Sequence, residues 1–408
     1  MTPGITEIIT LLLGMAGFGV QADPNPPTAD ASLQYAIPDA DVVVHFDAAM
    51  VVPNNYKVLT ALPTNAAVKA SPDAAKMVHE LIGQIEGARG MAKMATGIDP
   101  VTDVQDATFF IRVRDKEEPT FLAEVHGKFS QANVTAIAGT MGGTPTQVGS
   151  ASMVSKGPKD PAIGVTKDGV MLVGNTDLVK ARLADSWKAP ARASGSAIAN
   201  AYEVLGGHPV YAVVGALSPS AKKHVLSAMD MGPKKNFITD MVNRGKSMSF
   251  AVYADGIGWT WVDTTKVGLD DMELMSQGTL DMMKAAHIFP RGMAKVLLGA
   301  LDSYKGTDKE IDAVIAHKAD VMKLVTTYTG DGNFQQSVVK DPKTMKLTVR
   351  ATGKSLSEVV PAGIILPGMA AALLFRAGPV AKSETMIAEP AQPPALTPRK
   401  TPPPPKKK

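Results

Sequence analysis

Two long hairpin-like stretches most constrain what this chain can fold into. One reads TFFIRVRDKEEPTFLAEVHGKF from residue 108, and the other reads SMSFAVYADGIGWTWVDTT from residue 247. In each, two runs rich in β-branched and aromatic residues flank a turn, as neighbouring antiparallel strands do. Few single strands alternate with helices along the chain. The pattern therefore favours an α+β fold of mainly antiparallel strands with packed helices over a doubly wound α/β fold.

The two hairpins occupy matching places in two halves of the chain. Each half opens with a buried-strand run, DVVVHFDAAM at 41–50 and HPVYAVVGAL at 208–217, and a helix that begins Ser-Pro follows. Between the halves, KAPARASGSA is small, polar and Pro-containing, as domain linkers often are. We therefore expect two similar modules, at residues 35–190 and 205–358.

The amino end is typical of an export signal. Residues 8–20 are an apolar run, and Val20 to Ala22 supply the small-x-small pattern that precedes cleavage. Residues 1–22 are thus interpreted as a signal peptide. Glu7 stands where positive charge is usual, which leaves a short buried helix as the alternative. We expect an extracytoplasmic protein, in the periplasm or at the cell surface.

Near the carboxyl end, residues 359–375 form a run of 17 residues without a charge. As a helix it would span about 25 Å, a little less than a hydrocarbon core of about 30 Å. Residues 376–408 hold seven basic and two acidic side chains, so the positive-inside rule favours a single-pass anchor with a disordered cytoplasmic tail. The alternative is a closing helix of the second module, because Ser355 and Glu358 form a capping-box pattern.

Composition excludes several kinds of chemistry. The chain has no cysteine, which rules out thiolate catalysis, zinc–thiolate sites and disulfide frameworks. Residues 376–408 carry a charge of +5, and the whole chain carries +3. Residues 1–375 therefore carry −2 and lack the basic footprint of a nucleic-acid binder. Two GKS tripeptides, at 245–247 and 353–355, lack the earlier glycine of a phosphate-binding loop. We expect no nucleotide, no nucleic acid and no cofactor.

One polar pair is a candidate site. His45 and Asp47 alternate on a predicted strand and therefore share a face, where they could bind a metal or pass a proton. No close third ligand joins them in the sequence, so no metal site is assigned. The alternative is the end of a strand with one face partly exposed.

A second candidate is apolar. Trp259 and Trp261 alternate on a strand and could form a binding platform, although such aromatics more often belong to a core. Met272 and Met275 lie at helical spacing in a Met-rich stretch that could line a groove for an apolar ligand. All four are speculative ligand-binding residues, with a core role as the alternative.

These features favour a non-enzymatic cell-envelope protein that is tethered to a membrane and binds a protein partner or an apolar ligand. No catalytic residue is assigned, because no complete catalytic motif is present in the sequence. The alternative is an extracytoplasmic hydrolase whose active site assembles from distant residues. For that alternative His45, Asp47, His79 and His126 are the first residues to inspect.

Overall fold

The structure is a computed structural model, and it describes part of the chain. The described residues are 28–64, 68–69, 72–114, 118–157, 160–189, 196–228, 237–307 and 334–353, with isolated residues between 312 and 326. The predicted signal peptide (1–22), apolar anchor (359–375) and basic tail (376–408) lie outside these residues. Within the described ranges, no helix combines the length and the hydropathy needed to cross a bilayer.

The strands of the described residues form one twelve-stranded sheet in which all neighbours pair antiparallel. The strands are β1 Val42–Asp47, β2 Val104–Arg112, β3 Thr120–Gly127, β4 Thr146–Val148, β5 Ala151–Ser155, β6 Pro161–Val165, β7 Met171–Asn175, β8 Tyr211–Ala216, β9 Gly245–Tyr253, β10 Gly256–Asp263, β11 Gln335–Asp341 and β12 Lys346–Thr352. Their order across the sheet is β11-β12-β10-β9-β8-β1-β2-β3-β7-β6-β5-β4.

Helices precede β1 and lie in the longer connections between these strands. They are α1 Ala29–Ser32, α2 Ala48–Ala61, α3 Pro72–Thr96, α4 Gln131–Met141, α5 Thr176–Leu183, α6 Ala197–Leu205, α7 Pro219–Ala228, α8 Phe237–Arg244 and α9 Lys266–Leu301, with short 3-10 turns at Leu62–Thr64 and Asp302–Tyr304. The helices and the antiparallel sheet confirm the predicted α+β class.

The two halves of the chain meet at the centre of the sheet. There β1 pairs with β8, with Val44 opposite Val213. Outward from this pair the order is β1-β2-β3-β7-β6 on one side and β8-β9-β10-β12-β11 on the other, and β5 and β4 extend the first side. The strand order is thus the same in both halves, but hydrogen bonds continue through the predicted boundary. That each half is a separable module remains a prediction.

Alternation along β1 separates the two faces of the central sheet. Val43, His45 and Asp47 point to one face, which is covered by α5, α6 and the segment that follows α1. Arg182 of α5 holds that segment in place: its Nε donates to the Tyr35 carbonyl at 3.1 Å, and a second nitrogen lies 3.3 Å from the Ala36 carbonyl. On the opposite face lie α4 and the first turn of α2.

The longest helix, α9, follows β10 and lies on the second half of the sheet. It is capped by Thr265, whose hydroxyl accepts from the Gly268 N–H at 3.0 Å. Its 36 residues make it about 54 Å long, whereas the eight residues of β10 span only about 26 Å. Only about half of α9 can therefore lie along the strand on which it packs.

Candidate functional site

The predicted pair His45 and Asp47 shares one buried face of the sheet, as the alternation on β1 requires. His45 is 4% exposed, and its Nδ1 lies 2.9 Å from the hydroxyl of Thr108 on β2. Asp47 is also buried, and its Oδ1 accepts from the Met50 N–H at 3.0 Å, which caps the amino end of α2. The two side chains therefore have separate partners in the described structure.

Three further polar residues join this face, and sequence reasoning did not assign them to one site. Asp106 on β2 lies opposite Asp47 on one side and His126 of β3 on the other. His126 Nδ1 is 3.0 Å from Asp106 Oδ1, and its Nε2 is 3.2 Å from Glu124 Oε1. Glu124 Oε2 also accepts from the Tyr35 N–H at 2.9 Å.

We call these six residues of β1, β2 and β3 the polar row: His45, Asp47, Asp106, Thr108, Glu124 and His126. On each strand they are an i, i+2 pair, which is the one signal that the sequence carried. All are buried except His126, whose side chain keeps 14% of its surface exposed. Three buried atoms of the row, Asp106 Oδ2, Glu124 Oε1 and His126 Nε2, have no hydrogen-bond partner among the described residues, so the 3.2 Å approach of the last two is a charge contact without hydrogen-bond geometry.

The surroundings shift the protonation of this row. Burial lowers the pKa of His45 from 6.5 to about 4, so this ring is neutral at pH 7. Burial also acts to lower the pKa of His126, but the carboxylates of Asp106 and Glu124 outweigh it and raise that pKa to about 10. Burial raises the pKa of Glu124 above its ordinary value. The row thus holds a protonated His126 between the carboxyl groups of Asp106 and Glu124.

The polar row can hold a proton, but it lacks an accessible nucleophile. Its one hydroxyl belongs to Thr108, which is fully buried against His45. Among the described residues, no group of three His, Asp or Glu side chains is arranged to hold a metal ion. His79, the remaining histidine that we singled out, lies apart on α3, where its Nδ1 contacts the Ala75 carbonyl.

The two tryptophans of β10 pack beneath α9. Trp261 is 4% exposed, and its indole N–H donates to Asp263 at 3.0 Å. Trp259 is partly buried and donates to the hydroxyl of Ser276 on α9 at 3.0 Å. Both belong to the apolar cluster that holds α9 on the sheet, together with Leu269 and Leu280. A ligand-binding role for them stays a prediction.

The two methionines of the apolar candidate point in different directions. Met272 is buried in the cluster under α9, whereas Met275 is 41% exposed. Met275 belongs to a second apolar face, on the side of α9 away from the core. We call this face the α9 stripe; its members are between 40% and 72% exposed, and they are Val267, Leu274, Met275, Met282, Phe289, Met293, Val296 and Leu297.

Comparison with known proteins assigns neither a family nor a function to this chain. No known family matches the chain, and no curated protein matches it. Among solved structures, crystal form I of TP0453 covers 84% of this chain and 99% of that chain, with 9% identity and a TM-score of 0.32. Crystal form III of the same protein gives 10% identity and a TM-score of 0.33 over 84% and 100% of the two chains. Neither fold nor function transfers at this level of similarity.

Proposed function

We propose that the protein is a non-enzymatic binding protein that acts outside the cytoplasm and holds a protein partner through the α9 stripe. The observation that carries this proposal is the exposure of eight large apolar side chains on one side of a single helix. A contiguous apolar surface of this kind usually marks an interaction site, because exposing it to water costs free energy.

The shape of the stripe favours a protein partner over a small apolar ligand. Small molecules bind in concave pockets that enclose most of their surface. The stripe lies on the outer side of a helix, and such a face is convex. Three of its members are methionines, whose flexible side chains adapt to an opposing surface.

The location is proposed from the amino-terminal sequence. The apolar run at 8–20 and the small-x-small pattern at Val20 to Ala22 support export to the periplasm or cell surface. Residues 359–375 supply a membrane tether in this proposal. Cell fractionation with protease shaving tests both points: the body should be digested from outside, and a full-length chain in the cytosol would contradict export.

The hydrolase alternative has one observation in its favour. His126 lies between two carboxyl groups and keeps 14% of its side chain exposed, although its Nε2 is buried and its Nδ1 contacts Asp106. We rank this alternative second, because the hydroxyl nearest the row, that of Thr108, is buried. A hydrolase would lose turnover in a His126→Gln variant while its binding to a partner through α9 stayed unchanged.

Site-specific photo-crosslinking in the native host tests the binding role. A photoreactive residue placed at Met282 lies on the stripe. One placed at Lys284, two residues later, lies on another side of α9. We expect covalent adducts from position 282 and none from position 284, which is also exposed. Equal labelling at both positions, or no adduct at either, would remove the case for the stripe as a binding surface.

A further inference from the structure

We propose that the partner of the α9 stripe is a second copy of this chain, held by antiparallel pairing of the two α9 helices. The proposal rests on the proposed binding role of the stripe and names its occupant. A homodimer of this kind has a twofold axis, so each copy must offer a surface that is complementary to itself. The residue pattern of α9 has that property.

Large and small residues alternate along the stripe at heptad spacing. Large residues recur every seven positions, and three positions after each comes a small one. The large set is Met275, Met282, Phe289 and Val296, and the small set is Gly278, Ala285, Gly292 and Gly299. A spacing of three and four residues keeps one seam of a helix facing a partner helix.

Nothing within the described chain explains the three glycines of this seam. A Cβ added at Gly278, Gly292 or Gly299 would meet no atom within 4 Å. Glycine in a helix interior costs about 1 kcal/mol relative to alanine. No contact within one copy offsets this cost, whereas small residues at a seam let two helices approach closely. Gly83, Gly87 and Gly90 of α3 are equally open, so it is the heptad spacing of the α9 glycines, together with their openness, that points to a helix from outside this copy.

Antiparallel pairing matches each large residue with a small one. Let the twofold axis pass midway between Ala285 and Phe289, so that these two face each other across the pair. Counting outward, Met282 then faces Gly292, Met275 faces Gly299, and Val296 faces Gly278. In a parallel pair in register, each glycine would face the same glycine of the second helix, and each large side chain would face the same large side chain. The glycine layers would then be underpacked and the layers of large side chains overpacked.

Charge along α9 favours the same orientation. Its first half carries an excess of acidic side chains, namely Asp270, Asp271, Glu273 and Asp281, against Lys266. Its second half carries Lys284, Arg291 and Lys295. Within one copy Asp270 and Glu273 already pair with Lys340, and Asp271 pairs with Arg244, which leaves Asp281 to face the basic half of an antiparallel partner. Such complementarity sets orientation more than it adds affinity.

The length of the stripe sets the expected strength. From Val267 to Leu297 it covers 31 helical positions, which makes a strip about 46 Å long and about 10 Å wide. Such a strip covers about 460 Å² on each partner, whereas stable interfaces bury roughly 800 Å², so a single helix pair falls in the class of weak, transient interfaces. We therefore expect a dimer that dissociates on dilution.

Mass measurement over a range of concentrations is the first test. The full chain of 42.8 kDa should approach twice that mass when concentrated and fall to the monomer on dilution. Gly292→Leu should raise the dissociation constant at least tenfold, because the new side chain meets Met282 of the second copy. It has open space within its own copy, so the fold is kept. Gly87→Leu on α3 is the matched control, since Gly87 is equally open, and it should leave the dimer intact.

Engineered cysteines test the register, because the chain has none of its own. The Met282→Cys/Gly292→Cys variant places two pairs across the twofold axis and should form a covalent dimer on oxidation. The Gly278→Cys/Met282→Cys variant places its cysteines at least about 15 Å apart along the axis from one copy to the other and should form no covalent dimer.

Each other outcome overturns the proposal in a distinct way. A chain that is monomeric at every concentration and forms no covalent dimer has no such pairing. If position 282 then labels a different protein, the inference fails and the proposed binding role stands. If it labels residues of its own chain, such as 359–375, the stripe is covered within one copy. If it labels nothing, both proposals fail.

Discussion

The polar row and the α9 stripe both reverse the usual placement of side chains, in opposite senses. In the polar row, charged groups lie inside the protein; in the stripe, large apolar groups lie outside it. The row has partners within the chain, since His126 contacts two carboxylates and Glu124 also holds the Tyr35 N–H. Among the described residues, no side chains cover the stripe enough to bring its exposure below 40% to 72%.

This difference separates a role in the fold from a role in recognition. A buried charge is tolerated when it is paired, and breaking such a pair destabilises the folded state. An exposed apolar face contributes little to the stability of its own chain and gains free energy only when something covers it. The row should therefore report on folding, and the stripe should report on association.

The largest effect is expected from breaking the row. Glu124→Ala should lower the free energy of unfolding by roughly 3–5 kcal/mol, because it removes one carboxylate from His126 and the acceptor of the Tyr35 N–H. Chemical denaturation measures this change. Glu80→Ala, at an exposed position of α3, is the control and should stay within about 0.5 kcal/mol. Equal effects for both variants would mean that the row does not stabilise the fold.

The two faces of α9 should differ almost as sharply. Leu280 is fully buried against the sheet, so Leu280→Ala should cost about 3 kcal/mol of unfolding free energy. Phe289 is 66% exposed, and Phe289→Ala should cost less than about 0.5 kcal/mol in dilute, monomeric protein. In concentrated protein the second variant should instead weaken the dimer. A large loss of monomer stability from Phe289→Ala would place the stripe in the core.

Per pH unit, the smallest effect is a pH dependence that belongs to the row alone. The pKa of His126 is raised from 6.5 to about 10, so the folded state keeps a proton that the unfolded state releases between these values. This stabilisation is fully present below pH 6.5 and is lost as the pH rises towards 10, by at most about 1.4 kcal/mol per pH unit.

Paired unfolding curves at several pH values measure this dependence. His126→Gln should flatten the alkaline loss of stability relative to the unaltered protein. His79→Gln, which changes an exposed histidine of α3, should leave the slope as it is. An unchanged slope in His126→Gln would mean that His126 is not the group that keeps the proton.

Local patterns predicted much of the secondary structure and the fold class. The hairpin stretch at 247–265 became β9 and β10, and the runs at 41–50 and 208–217 became β1 and β8. Alternation on β1 correctly put His45 and Asp47 on one face. These features depend on neighbours in the chain, whose two-residue or near-four-residue periodicity is visible in the sequence.

The composition of the polar row could not be predicted in the same way. Asp106, Glu124 and His126 come together only through the register of β1, β2 and β3, and a shift of one residue would turn each pair to the opposite face. Nothing local to TFLAEVHG specifies that register. The exposure of the α9 stripe could not be predicted either. Met272 and Met275 are both apolar residues of one helix, and only the packing of α9 on the sheet buries the first and exposes the second.

The sequence by itself thus determined the α+β class, the absence of thiol chemistry and the seven-residue spacing of large and small residues along α9. Only the tertiary structure decided that β1 and β8 join the halves into one sheet, that the row is buried and that the stripe is exposed. The reason is physical: periodicity is a property of adjacent residues, whereas burial depends on which distant segments pack against them.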